Sequence, residues 1–439
     1  MKRILTLFMA LPLFLAAVPV FAQDGKAVSG SGPRADGYYK DIFMDGGCSL
    51  NSYPDLPAAD WLGLSLEQLS TAERLIMTSL DTLMQNYLLV GNPLDENGAL
   101  LYPDGAPRFR VVYVNGGKAL GHTKSLTEEG RERFRTYLKN GGSYLGTCAG
   151  AFMVAQGAVR DTGYVPRPEY LCTWPGWVVG TGLETSATGM TVEPGSPLLK
   201  YYDFGGDMQI DSVRHNGGCY AYMEENVPAG TEVLLRYIGD TLKLKKSIHQ
   251  KVSAWAWKES EQTGRIVAIG SHPERMVEGD RLELMAALIR YAIDGNGLPR
   301  LKGVLANGVA REMIRTTGEN DPDFTRIGDR QYHHFAVDVP RGVKEIRVEL
   351  KAPDRLTDRY DLWLFADGQD FAFRDRARYK NVHHGTDKKF TIPVSGPGRY
   401  YISVFCATAP DTVDTFYGVQ YTGRTDVLNG VPYSIKVSW

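Results

Sequence analysis

Apolar positions follow two rhythms along the 439-residue chain. Up to about residue 297, short runs of Val, Ile, Phe and Tyr alternate with stretches whose apolar residues recur every three or four positions. The runs at 38–47 (YYKDIFMDGG), 108–117 (RFRVVYVNGG) and 143–148 (SYLGTC) end in small residues and predict buried strands. TAERLIMTSLDTLMQNY (71–87) places Leu75, Ile76, Leu80, Leu83 and Met84 at helical spacing. SLTEEGRERFRTYLKNGG (125–142) predicts a second helix, with Ser125 and Glu128 at capping-box spacing and Gly141-Gly142 as its stop. AGAFMVAQGAVR (149–160) predicts a third helix, and DRLELMAALIRYAIDGNG (280–297) a closing one. KVSAWAWKES (251–260) and GRIVAIGSHPE (264–274) read as a strand pair. Strands alternating with helices imply a parallel sheet covered on both faces. Residues 160–250 break the rhythm with Gly, Pro and aromatics, and are expected to add strands and pocket walls.

Beyond residue 300 the pattern becomes short alternating strands between turn residues. HHFAVDVP (333–340), KEIRVELKAP (344–353), GRYYISVFCA (398–407) and VPYSIKVSW (431–439) are examples, and together they predict an all-β sandwich. The expected division is a signal peptide at 1–22, a linker at 23–37, an α/β domain at 38–300, a second linker at 301–324 and a β-sandwich at 325–439. The signal reading rests on Lys2 and Arg3, the apolar run Leu5 to Val20 and the small residue Ala22. It implies a secreted or periplasmic protein with no membrane anchor.

Composition narrows the partners. Hydrophobic residues make up 43% of the chain, charged residues 23%, and the net charge is −2. No dense basic run occurs, so no nucleic-acid partner is expected. A small-molecule or peptide-like substrate is expected, and the sequence sets no oligomeric state. Five cysteines (Cys48, Cys148, Cys172, Cys219 and Cys406) leave at least one thiol unpaired within a monomer. Cys172 with Cys219 is one candidate bridge, although spacing does not fix the pairing. Cys48 is either an inert core thiol or the partner of Cys148 in a regulatory disulfide. No Cys/His spacing fits zinc, and neither a metal nor another cofactor is expected.

The chemistry concentrates at three strand ends. The third strand run delivers Cys148 to the carboxyl edge of the predicted parallel sheet, directly before a helix. Gly146, Ala149 and Gly150 supply the small neighbours that a sharp turn needs. In GSHPE, His272 and Glu274 lie two apart on an extended segment, so both side chains face one way. Glu274 is then placed to orient the imidazole, and the imidazole to take a proton from Cys148. In YVNGGKAL, the turn at Gly116 and Gly117 offers backbone N–H groups. One from Gly117 or Lys118, with that of Ala149, would form an oxyanion hole. Asn115, Gly116, Phe152, His215, Asn216 and Gly217 are further pocket candidates. His215 reads equally well as a surface loop residue.

GTCAGA, SHPE, the strand-then-GG turn and RHNGG (214–218) together resemble class I glutamine-amidotransferase-like proteins, and most closely their biotin–protein ligase N-terminal type. The likeness spans roughly 38–296. It implies a flavodoxin-like α/β sandwich and a triad of Cys148, His272 and Glu274. Phe152 stands four residues after Cys148, where glutamine amidotransferases carry a glutamine in their substrate pocket. Residues 325–439 resemble the pre-peptidase C-terminal domain, a β-sandwich appended to many secreted hydrolases. The function expected from residues and resemblance is an exported cysteine-dependent hydrolase of an amide bond, with the substrate open. The alternatives are a glutamine-type amidase and a non-catalytic secreted binding protein on the same scaffold.

Overall fold

The computed structural model describes residues 37–46, 49–51, 55–68, 89–239, 247–353, 356, 359–368, 370–415 and 418–439. The expected signal peptide, nearly all of the first linker, the helix at 71–87 and Cys48 lie outside the described residues.

The sheet of the α/β part is built around five parallel strands: β1 (Lys40–Asp45), β2 (Leu66–Gln68), β3 (Phe109–Val114), β4 (Ser143–Thr147) and β8 (Ile266–Ile269). Their order is β2-β1-β3-β4-β8, with every neighbouring pair parallel. Alternate side chains serve opposite faces. Ile42, Met44, Val111 and Tyr113 pack with α5 (Gly279–Ile293), whereas Phe43, Val112, Val114 and Tyr144 pack with Phe134 and Tyr137 of α3 (Thr127–Lys139). Burial on both faces is why the central stretches Ile42–Met44, Val111–Val114 and Ile266–Ile269 read as apolar runs. The Ala-rich α5 sinks ten of its residues, so it too is apolar nearly all round.

Beyond β8 the sheet turns antiparallel through β7 (Val252–Trp257) and β6 (Cys219–Ala221). Further strands from 157–237 extend it, including β5 (Gln209–His215). Trp174 and Trp255 pack in this region as buried rings, centroids 5.2 Å apart.

Four local expectations are corrected. The helix expected over 149–160 is α4 (Ala149–Met153), and residues Gly157–Arg160 form a strand. The proposed capping box is not made. Residues Ala119–Ser125 are already a helix, α2, so Ser125 Oγ donates to the His122 carbonyl while Glu128 pairs with Arg131 and Arg135. Cys172 and Cys219 are both free thiols. The expected linker at 301–324 contributes strands Leu301–Val304 and Ala310–Met313 to the two C-terminal sheets.

Those sheets, of five and four strands, pack face to face. Phe335, Val337 and Val339 from one meet Ile346, Val348 and Leu350 from the other. Contact with the α/β part centres on buried Asp104, which accepts from Lys302 Nζ and, at 2.6 Å, from Gln331 Nε2. Burial opposes its charge, but Lys302 outweighs that and holds the carboxyl at about 2.

Candidate active site

The parallel register sets the ends of β3, β4 and β8 side by side. Val114 pairs with Gly146, and Thr147 with Ile269. The three predicted motifs therefore leave the sheet at one rim, where open α/β sheets place ligands.

Cys148 is the hinge between β4 and α4. Its N–H continues the ladder to Ile269 O at 2.9 Å, and its backbone then turns through φ 49°, ψ −102°. A non-glycine residue held at positive φ stores roughly 1–3 kcal/mol of strain. The close start of α4 depends on Gly150, where a Cβ would stand 2.2 Å from Val114 O. The thiol is 5% exposed and lies 3.6 Å from the Asn216 carbonyl. The helix that follows makes little more than one turn, so its macrodipole offers the sulfur less than the sequence suggested.

His272 supplies the stronger partner. Its N–H donates to Arg214 O at 2.8 Å, which ties the GSHPE segment to β5. Its Nδ1–H donates to Glu274 Oε1 at 2.8 Å, and the opposite side of the ring hydrogen-bonds Cys148. Burial pulls the imidazole pKa down. Hydrogen bonds to Cys148 and Glu274, with their charges, overcome that and raise it to about 10. The ring is thus an imidazolium at neutral pH. Glu274 is buried, and its Oε2 has no protein partner among the described residues. The structure thus sets Cys148, His272 and Glu274 next to one another.

The glycine turn lies against both. Asn51 N–H donates to Gly116 O at 2.6 Å, and Lys118 N–H donates to Ser49 O at 2.7 Å. Lys118 is therefore removed from the oxyanion-hole candidates, because its N–H is already spent. Gly117, between those two bonds, turns its own N–H away from residues 49–51. It lines one cavity with Cys148 and Ala149, whose N–H opens α4 and has no intrahelical acceptor.

Two pocket candidates prove to lie behind the site. His215 is fully buried, hydrogen-bonded through Nδ1 to Ser271 Oγ (2.8 Å) and through Nε2 to Thr181 Oγ1 (2.7 Å). Burial, and then the charge of His272, push its pKa down to about 4, so it is neutral. Asn115 is buried and donates to Asn51 O at 2.6 Å. Gly116, Phe152, Asn216 and Gly217 do line the cavities at the site.

Cys148 stands where two cavities meet. One, about 630 Å³, has Leu120, Phe152 and Tyr170 in its wall. The other, about 450 Å³, has Asn51, Arg214, His272 and Glu274. Gly117, Lys118, Cys148 and Asn216 border both. Ser49, Asn51 and Tyr170 escaped the sequence reading, whereas Arg214 had a signal there as the first residue of the RHNGG motif. The buried pair of His122 Nε2–H and Asp45 Oδ2, 2.7 Å apart, was also missed; it fastens α2 under the glycine turn. Among the described residues, no group of three or more His, Cys, Asp and Glu is arranged to hold a metal ion.

Residues 74–286 match the family described as biotin-protein ligase, N terminal. No curated protein matches the sequence. Among solved structures, a glutamine amidotransferase is 16% identical, with 57% of this chain and 98% of that chain covered and a TM-score of 0.33. PurLQS from Thermotoga maritima is 13% identical, covering 57% and 99%, at a TM-score of 0.33. The pre-peptidase C-terminal domain of collagenase from Bacillus anthracis is 11% identical, covering 32% and 100%, at 0.19.

Proposed function

With residues 74–286 matching the biotin-protein ligase N-terminal family, we propose that the chain is a cysteine-dependent hydrolase of an amide bond. One observation carries this reading. A strained, nearly enclosed Cys148 meets an imidazole that is held on its far side by a buried carboxylate. His272 as imidazolium favours the thiolate, the nucleophilic form of the residue. The sulfur attacks the carbonyl carbon, and the developing oxyanion is received by the N–H groups of Gly117 and Ala149. His272 then gives its proton to the departing nitrogen. Glu274 keeps the ring oriented and its charge compensated through both steps. A water molecule hydrolyses the resulting thioester: His272 takes a proton from the water and keeps it as the thiolate departs.

No side chain typical of a glutamine pocket stands at Phe152, and no observation at the site favours the glutamine-type amidase or the purely binding alternative. A chromogenic amide, octanoyl p-nitroanilide, tests the reading. The full chain should release p-nitroaniline and carry an octanoyl thioester on Cys148 by mass spectrometry. The Cys148→Ala variant should be slower by at least ~100-fold. Equal rates in wild type and variant refute the reading.

We also propose that the protein acts outside the cytoplasm, a reading supported by Lys2, Arg3 and the apolar run that follows. Expression of the whole gene product with N-terminal sequencing checks this. A cytoplasmic chain that still begins at Met1 contradicts it.

A further inference from the structure

The two cavities that meet at Cys148 are chemically unlike, and His272 belongs to only one of them. Its ring and Glu274 border the polar cavity and not the apolar one. This matters for an amide. The departing nitrogen must receive a proton from His272, so it leaves on the His272 side. The acyl carbon stays bonded to sulfur, and its chain must run the other way.

Resting on the cysteine-hydrolase reading above, we propose that the substrate is an N-acylated amino acid: an amide whose acyl part is apolar and whose amine part carries a carboxylate. The acyl chain lies along Leu120, Phe152 and Tyr170. The amine part lies in the cavity bordered by Asn51 and Arg214, with Lys118 at the boundary. Arg214 and Lys118 are exposed cations that make no ion pair among the described residues. The one carboxylate in that cavity's wall, Glu274, is already paired with His272. Lys118 borders both cavities, and Lys124 of the apolar cavity is paired with Glu169, so the unpaired cation confined to one side is Arg214, on the amine side, where an amino-acid carboxylate would sit. Glutamine is the reverse case. Its acyl part bears the ammonium and carboxylate, which would face Phe152, and its leaving group is ammonia.

The step balances with water alone. The Sγ–carbonyl bond forms, the carbonyl–nitrogen bond breaks, and the His272 proton passes to the amino acid's nitrogen. Water then splits the thioester, giving the apolar carboxylic acid and restoring the thiolate–imidazolium pair.

The test compares octanoyl-glycine, octanamide, acetyl-glycine and glutamine on the full chain, following released glycine or ammonia. The expected result is a kcat/KM for octanoyl-glycine at least ~10-fold above each of the others. Arg214→Gln should raise KM for octanoyl-glycine about 10-fold, with little change in kcat, and so narrow the preference over octanamide. Phe152→Asp should narrow the preference for octanoyl over acetyl. Three results overturn the inference alone: glutamine as the best substrate, equal use of all four amides, or an Arg214→Gln variant that keeps its preference. No turnover of any amide while Cys148 is hyper-reactive towards iodoacetamide also overturns it alone. No turnover with an ordinary, unreactive Cys148 overturns the hydrolase reading and this inference with it.

Discussion

A Cβ on Gly116 would stand 2.3 Å from Cε1 of His272 and 3.3 Å from Cβ of Cys148. The glycine is thus the space in which the imidazole lies next to the sulfur. Its neighbour Gly117 bridges to Leu50, so backbone movement cannot relieve the clash cheaply. Gly116→Ala should therefore displace the ring. The expected outcome is a loss of amide hydrolysis of at least ~100-fold, with a stability cost of only ~1–3 kcal/mol in urea denaturation. An Ala variant with full activity would show that the ring is not held as described.

The raised pKa of His272 has a signed consequence for stability. Its charged form is favoured in the folded protein. That contribution is complete below the ordinary histidine value near 6.5 and is lost as pH rises through about 10. NMR titration of the His272 ring should give a midpoint near 10. In Glu274→Gln the midpoint should fall, because one of its two charge-stabilising partners becomes neutral. An unchanged midpoint in that variant would remove Glu274 from its role.

His215 behaves in the opposite sense. Its neutral form is favoured, so its contribution is complete above about 6.5 and is lost as pH falls towards 4. Urea midpoints at pH 7, 5.5 and 4 should show wild type losing stability more steeply than His215→Gln. Parallel curves would mean that His215 is not the group taking up the proton.

The Asp104–Lys302 pair is tested by Lys302→Met, which leaves a buried carboxylate without its cation. The expected cost is ~3–5 kcal/mol in chemical denaturation. In wild type, the Asp104 contribution is present above the ordinary carboxyl value near 3.9 and fades as pH falls through about 2. The variant should lack that acid-side loss. A cost within experimental error would show that this contact does little to hold the C-terminal sheets in place.

Much of this was legible because the physics is local. The runs at β1, β3 and β4 are apolar on both faces, and the residue types at Cys148, His272 and Glu274 combine only for a narrow set of reactions. What escaped depends on tertiary placement. The helix after Cys148 stops at Met153, and Gly157 takes φ +151° at a point where a Cβ would meet Val165 O at 2.3 Å. The residues at 301–324 looked like a linker because their two strands are only four residues each. Lys118 lost its place in the oxyanion hole to a carbonyl 69 residues away, at Ser49. The division of the site into an apolar and a cationic side depends on Tyr170, which no local pattern connects to Cys148, and on Arg214, which only the RHNGG motif signals.

The contact between Cys148 and His272 is tested most directly by alkylation of Cys148 with iodoacetamide at pH 7, compared between wild type and His272→Ala. The charged imidazole lies against the sulfur, so wild type should react at least ~10-fold faster than the variant. Equal rates in the two proteins, with the fold intact by circular dichroism, would contradict the account.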